Sequence, residues 1–281
     1  MLSIFAYDFM QRALLSGLLI GIICPLIGIF LILRRQSLIG DGLGHIAFAG
    51  VTAGWFMGIY PVYSATVLTV AAALGIEELR ARRPAFADMI LAIFFYTGMA
   101  AAILLSSLIK SSNVNLMSYL FGSIVTVTGQ DLAVIACLTL SVIGILLFVY
   151  KELVFLTFDE EVARVSGLPV KKINMVLAVL TALTVAVAMR IVGVLLVSAL
   201  MVIPVAASLQ ISRSFRSTIF YAVIISEVSV TGGLVASFFL KVASGGTIVL
   251  IAVAIFVSAF VWRQLQASHP ARYTLSSKVR N

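Results

Sequence analysis

The residues of this chain that are equipped for chemistry are few, and they lie inside apolar stretches. Asp41, His45 and Glu227 are the strongly ionisable side chains that fall deep within long hydrophobic runs. A charge at the centre of a bilayer costs about 2.5–3.5 kcal/mol on insertion scales, so such residues mark functional sites. Asp41 and His45 stand four positions apart, which places both on one helix face. A carboxylate beside an imidazole suits a divalent first-row metal ion or a proton.

Each of these residues also has a structural interpretation. Asp41 and His45 can hydrogen-bond locally and tighten a helix bundle, although Ser or Thr would do so at a lower cost. Glu227 is either a third metal ligand or proton acceptor, or a protonated acid bonded to a neighbouring helix. Small residues recur at four-residue spacing around the first pair and predict close helix approach: Gly40, Gly44, Gly50 and Gly54.

The composition determines what kind of molecule carries these residues. The 281 residues are 62% hydrophobic and 11% charged, with a mean hydropathy of +1.17. These values exclude a soluble globule, and continuous apolar runs of about 20 residues exclude the alternating pattern of a β-barrel. We predict an all-α, polytopic transmembrane bundle that forms a single domain over residues 1–281. The net charge of +8 indicates cationic loops at a lipid membrane rather than a nucleic-acid partner.

The apolar runs predict nine spans, of which the short run 62–77 and the Pro204-containing run 191–210 are the least regular. The spans are 13–33, 37–58, 62–77, 88–109, 131–150, 172–189, 191–210, 217–240 and 246–263. The stretch 111–129 is too polar to cross and predicts a re-entrant or interfacial segment. Alternation then puts 15 of the 19 Lys and Arg on the cytoplasmic side, with the N-terminus outside and the C-terminus inside. Cys24 and Cys137 are predicted to be buried as small apolar residues.

The cytoplasmic segment 151–171 contains the start and stop signals of a short helix. We expect Thr157 as its N-cap and Glu160 at N3, a capping box, with Gly167 at its end and Pro169 beyond. Phe158, Val162 and Val165 are predicted to share one apolar face, while Asp159, Glu160 and Glu161 fill the first turn, where negative charge suits the helix dipole. Such a helix favours a protein partner, because three acids would face anionic lipid if it lay flat on the membrane.

The sequence contains no Gly-x-x-x-x-Gly-Lys-Ser/Thr loop, so we do not expect the chain to hydrolyse ATP itself. It has no nucleophilic Ser or Cys constellation, and we predict no bound cofactor. A stand-alone transporter that relays protons through Asp41, His45 and Glu227 remains a rival, as does a membrane-embedded enzyme or receptor. The capped acidic helix favours a transporter with a separate ATPase, because a secondary transporter needs no such dock.

These motifs together resemble one family over nearly the whole chain. They are Leu33-Arg34-Arg35, the stretch from Gly40 to His45, the segment from Phe158 to Glu161 and the run from Val192 to Pro204. The chain resembles the membrane permease subunit of the bacterial zinc and manganese ABC importers. A carboxylate at Glu227 departs from the pattern of that family, and its members are described with about eight spans.

The resemblance implies a multi-pass protein of the bacterial cytoplasmic (inner) membrane that works as a homodimer. It implies two ATP-binding cassette ATPase subunits docked on coupling helices, an extracellular metal-binding protein, and a translocation path lined by Asp41 and His45. Two carboxylates and two imidazoles from two chains satisfy tetrahedral zinc, whereas manganese would need added oxygen ligands. The Gly-Leu-Gly-His motif is more similar to that of the zinc members, so we expect zinc as the substrate, with manganese as the alternative.

Overall fold

Twelve α-helices make up the ordered architecture of the residues that the computed structural model describes, which are 7–109, 116–123 and 127–267. They are α1 (Asp8–Leu33), α2 (Ile39–Met57), α3 (Pro61–Arg82), α4 (Ala87–Leu108), α5 (Leu116–Phe121), α6 (Gly129–Phe148), α7 (Tyr150–Phe158), α8 (Glu160–Val165), α9 (Val170–Ala188), α10 (Val197–Ile211), α11 (Phe215–Leu240) and α12 (Ser244–Ala267). Two 3-10 turns, Pro84–Phe86 and Val194–Leu196, precede α4 and α10. No strand occurs within those residues, so the predicted all-α fold is confirmed.

Eight helical stretches of the described chain are long and apolar enough to cross a membrane. They correspond to the predicted spans except for α2. At 19 residues, α2 has the length of a crossing, but its acid, its histidine and its glycines lower its hydropathy. The irregular 62–77 run proves to be a full helix, because α3 continues through a polar last turn to Arg82. The predicted re-entrant segment 111–129 lies partly outside the described residues, which include α5 and the chain flanking it within this segment.

The connection between α9 and α10 differs from the uninterrupted span predicted at 191–210. The α-helix stops at Ala188, and α10 begins only at Val197 and runs for 15 residues. Gly193 lies between them with φ +89°, a conformation that glycine adopts without steric cost. The carbonyl oxygen of Val194 lies against Gly44 of α2. Thus α10 is a short helix of about 22 Å, and its N-terminus starts inside the bundle.

The core of the bundle is formed mainly by α1, α2, α9 and α10, whereas α4 and α12 lie at the periphery. Cys24 on α1 is buried as predicted, but Cys137 on α6 is exposed, so that prediction is wrong. The reason is that α6 buries only a narrow stripe, which includes Ile135, Thr139 and Val142, and Cys137 points away from it. An apolar run predicts a membrane span, but it does not predict which face of the span packs on protein.

Candidate functional site

Asp41 and His45 lie on the one face of α2 that neighbouring helices leave uncovered. From Ile39 to Thr52, every residue of α2 is buried except these two, which are partly exposed. The helix is therefore covered by its neighbours on all sides but one, and the two ionisable side chains share that side. The predicted common face is confirmed, and it opens outward from the single chain.

Glycines hold α2 in place against its neighbours, as their spacing predicted. A Cβ at Gly44 would lie 3.2 Å from the carbonyl oxygen of Val194, and one at Gly40 would lie 3.1 Å from the Cβ of Ser198. On another face, a Cβ at Gly50 would come within 2.5 Å of the Cα of Ala65. Contacts this close leave no room for a larger side chain, so the backbone that carries Asp41 and His45 is fixed by packing.

Asp41 is oriented by the first turn of α10. The Ser198 hydroxyl donates a hydrogen bond to the Asp41 carboxylate, and Ser198 is the second residue of that helix. The hydrogen bond therefore fixes the direction of the carboxylate against the start of α10. The interruption before α10 thus places a hydroxyl and a helix end at the depth of the α2 pair, which hydropathy alone did not reveal.

His45 packs edge-on against an aromatic ring of α4. The ring centroids of His45 and Phe95 are 4.4 Å apart, with an interplanar angle of 65°. This contact restrains the plane of the imidazole. Among the described residues of one chain, no three His, Cys, Asp or Glu side chains lie close enough to hold a metal ion, so Asp41 and His45 alone are an incomplete ligand set.

Glu227 lies elsewhere, between α11 and α1. A Cβ at Gly21 would come within 2.6 Å of the Glu227 Oε1, so the carboxyl group fills the notch that this glycine leaves. Both carboxyl oxygens are buried, and neither has a hydrogen-bond partner within the part of the chain that is described. The structure therefore does not bring Glu227 together with Asp41 and His45 in one chain.

The helix cap in the cytoplasmic segment falls on a different residue from the one predicted. Asp159 is the N-cap of α8, and its carboxylate accepts a hydrogen bond of 2.9 Å from the Val162 amide. Thr157 still belongs to α7, and its hydroxyl donates to the carbonyl of Leu153. The predicted Thr157–Glu160 capping box is therefore wrong, because the chain becomes extended only at Asp159, with φ −153° and ψ 103°. Gly167, with φ +82°, follows the end of α8 as expected.

The two sides of this segment are chemically different. Glu160 faces the bundle and pairs with Arg34 at 3.3 Å and with Arg164 at 3.2 Å. Burial lowers the pKa of Arg34, and the neighbouring Glu160 carboxylate opposes that shift. Phe158, Val162 and Val165 are exposed, at 68%, 48% and 89%. Large exposed apolar side chains at the end of a helix bundle indicate a surface for another protein.

A second buried charged cluster was missed by the sequence analysis. Arg190 and Asp131 form an ion pair of 2.9 Å in which the Asp131 side chain is 1% exposed. The phenol of Tyr60 donates to the same carboxylate, and the Arg190 guanidinium lies 4.6 Å from the centre of the Tyr119 ring. Burial, the hydrogen bond to Asp131 and the negative charge of that carboxylate raise the pKa of Tyr60. One signal was available: Thr128 and Asp131 have the spacing of a capping box, which the structure contains.

Comparison with known proteins gives a consistent result. Residues 6–263 match the ABC 3 transport family. The chain is 37% identical to a probable metal transport system membrane protein of Treponema pallidum, over 92% of this chain and 97% of that one. It is 31% identical to the high-affinity zinc uptake system membrane protein ZnuB of Haemophilus influenzae (92% and 99% covered). It is 33% identical to the manganese transport system membrane protein MntC of Listeria monocytogenes (92% of each covered).

One solved structure supports the same relation at the level of the fold. PsaBC from Streptococcus pneumoniae, in complex with Fab, superimposes with a TM-score of 0.84 at 28% identity. The match covers 96% of this chain and all of that one. The two folds therefore correspond over nearly the whole length of this chain.

Proposed function

We propose that this chain, which belongs to the ABC 3 transport family and is a membrane permease subunit of a bacterial metal ABC importer, carries zinc through a homodimer. The family match favours this reading over a stand-alone proton-coupled transporter. The observation that carries the proposal is the face of α2 on which only Asp41 and His45 escape burial. A helix that is closed on every other side presents a carboxylate and an imidazole to whatever lies beyond the single chain.

A second copy of the chain would complete the ligand set. Two copies related by a two-fold axis bring two carboxylates and two imidazoles to one place, and four such ligands suit tetrahedral zinc at about 2.0–2.2 Å. This arrangement fits the finding that one described chain offers no group of three ligands. Glu227 is the remaining predicted ligand, but its carboxyl group is buried against Gly21 of α1, so we do not include it in this ligand set.

In transport, the residues of this site attract, hold and release the substrate ion. Asp41 attracts the cation, while the Ser198 hydroxyl orients the carboxylate. His45 adds a neutral imidazole as a second ligand whose ring plane is set by Phe95. Because zinc outranks manganese at any such nitrogen and oxygen site, discrimination between metals would rest largely with an extracellular metal-binding protein that delivers the ion.

The substrate is tested with the reconstituted complex of permease and ATPase. We expect zinc to stimulate ATP hydrolysis and to restore growth of a strain that lacks the system. Manganese and iron, tested in the same way, are the matched comparisons. Restoration by manganese but not by zinc would assign the manganese alternative, which is consistent with the names of several relatives, and would leave the permease assignment unchanged.

We further propose that the exposed side of the α7–α8 segment docks an ATPase subunit. Phe158, Val162 and Val165 supply its apolar surface, and Glu161 supplies charge beside them. Asp159 and Glu160 support the helix from within, as N-cap and as ion-pair partner of Arg34. Glu161→Lys with Val165→Asp should abolish co-purification of the ATPase while membrane insertion is unchanged. The control is Arg164→Gln, on the opposite side of α8; normal ATPase binding to the double variant would refute the dock.

A further inference from the structure

A cavity of about 760 Å³ lies at the end of the bundle that carries α8. The ends of α1 and α3, the start of α4, α8 and the first turns of α9 enclose it. It is separate from the open face of α2. The exposed apolar side of α8 does not line it either, because the α8 residues that face the cavity are Glu160 and Arg164. Neither the metal path nor the proposed ATPase dock therefore accounts for it.

The cavity lining is strongly basic. Its cationic side chains are Arg34, Arg80, Arg164, Lys171 and Lys172. Among the described residues, two carboxylates, those of Glu77 and Glu160, line it with them. Such a surface repels a divalent cation and attracts an anion. The cavity is thus unsuited to be an exit for the metal ion.

The pairing inside the cavity is incomplete. Glu160 is shared by two arginines, and Lys171 pairs with Glu78 at 2.7 Å. Arg80 approaches Glu77 only to 3.6 Å, and its Nη1 is buried without a hydrogen-bond partner among the described residues. Buried donors in folded proteins almost always have a partner. A bound group with acceptor oxygens would supply one.

An unsatisfied acceptor lies in the same cavity. The side-chain oxygen of Asn174 is buried and has no donor within the described chain. Lys172 is exposed, and no ion pair is recorded for it between described residues. A ligand that combines a phosphate with a hydroxyl or amine would match this pattern, with the phosphate accepting from Arg80 and Lys172 and the other group donating to Asn174.

We propose that this cavity binds a phosphate-bearing anion, and that its source is the headgroup of an anionic phospholipid. The apolar flank of α4 adjoins Pro84 and Ala87 at the cavity rim, and Met89 and Ile93 on it are each 54% exposed. That flank offers acyl chains a place directly beside the basic cavity. Basic pockets between transmembrane helices on the cytoplasmic side bind such headgroups. The inference rests on the proposed orientation, which puts α8 on the cytoplasmic side.

The experiment uses the intact complex of permease and ATPase in detergent, titrated with phosphatidylglycerol or with phosphatidylcholine and followed by native mass spectrometry. We expect phosphatidylglycerol to be retained and phosphatidylcholine not. Lys172→Gln should lower retention about fivefold, the effect of one cation near a lipid phosphate, and Arg80→Gln should lower it further. Arg213→Gln is the control, since Arg213 is a basic residue in the turn between α10 and α11, outside the cavity.

Inorganic phosphate is the second arm of the titration. If phosphate binds and is lost in Lys172→Gln while phosphatidylglycerol is not retained, the site stands and its source is free phosphate. If neither binds, or if both variants bind as the control does, the proposal is overturned. Zinc-stimulated ATP hydrolysis by the same preparations separates this outcome from failure of the transport assignment, because wild-type stimulation without lipid retention refutes only the cavity.

Discussion

The molecule treats two pairs of ionisable residues within its helix bundle in opposite ways. Asp131 and Arg190 neutralise each other at 2.9 Å, with a phenol and an aromatic ring completing the cluster. Asp41 and His45 face an opening, and one hydroxyl is the recorded hydrogen-bond partner of the carboxylate. Two charges that are paired inside the fold depend on each other, because removal of either one strands the other without a partner. An ionisable side chain that faces an opening within a membrane helix remains available to a ligand.

This comparison predicts the largest effect for Asp41 and His45, which we call the open pair. Asp41→Asn and His45→Ala should each abolish metal uptake, because each removes a ligand that the substrate ion needs. The yield and thermal stability of the assembled complex should be unchanged, since neither side chain is packed on all sides. Uptake of radioactive zinc into vesicles provides the measurement, and Thr52→Ser, on a buried face of the same helix, is the control. Uptake near the wild-type rate in both variants would refute the site.

Substitutions in the closed pair, Asp131 and Arg190, should lower the stability of the protein instead. Arg190→Met and Asp131→Asn each leave one buried charge without its partner, so each should lower the free energy of unfolding by about 3–5 kcal/mol. The double variant should lose less than the two single variants together, because no charge is then stranded. Chemical denaturation of the detergent-solubilised protein measures the four members of this cycle.

The control for the closed pair is Lys241→Gln, an exposed cation at the same end of the bundle. It should leave stability within about 0.5 kcal/mol of wild type. If Arg190→Met instead abolished uptake while stability stayed at the wild-type value, the pair would be functional and the contrast between the two clusters would be wrong.

An intermediate effect is expected at Ser198, which connects the open site to the fold. Ser198→Ala removes the donor to the Asp41 carboxylate, and a hydrogen bond to a charged group contributes about 1.5–3 kcal/mol. We expect uptake to fall about tenfold, with the carboxylate still in place. Ser208→Ala is the matched control on the same helix, because that hydroxyl donates to the Val205 carbonyl. An equal loss in both variants would indicate a general defect of α10 rather than a role at the site.

Residue spacing and hydropathy were sufficient to predict that the residues of the open pair lie together, but not those of the closed pair. Asp41 and His45 are four positions apart inside one apolar run, so a single helix brings them together. Asp131 and Arg190 are 59 positions apart, and each lies at the end of a run, where a charge is unremarkable. Their pairing depends on how α6 meets the α9–α10 connection, which is a property of tertiary packing.

Local backbone geometry was the other limit of the sequence analysis. Residues 191–210 are apolar enough for a continuous span, and only the positive φ of Gly193 shows why the helix is interrupted. The interruption is what brings Ser198 to Asp41. Similarly, Thr157 and Asp159 are both good N-cap residues, and the choice between them depends on the residue at which the chain turns extended.

The smallest predicted effect concerns a third carboxylate, one whose partner is the backbone. Asp159→Ala removes the N-cap of α8, which should destabilise that short helix by about 1 kcal/mol. Hydrogen exchange of the amides from Glu160 to Val165 measures this directly, and exchange should accelerate about fivefold. Thr157→Ala is the control, because that hydroxyl donates within α7 and caps nothing. If Thr157→Ala accelerated exchange in α8 more than Asp159→Ala did, the cap would belong to Thr157 after all. A carboxylate that serves the backbone should thus affect neither metal uptake nor the global fold as strongly as the other two.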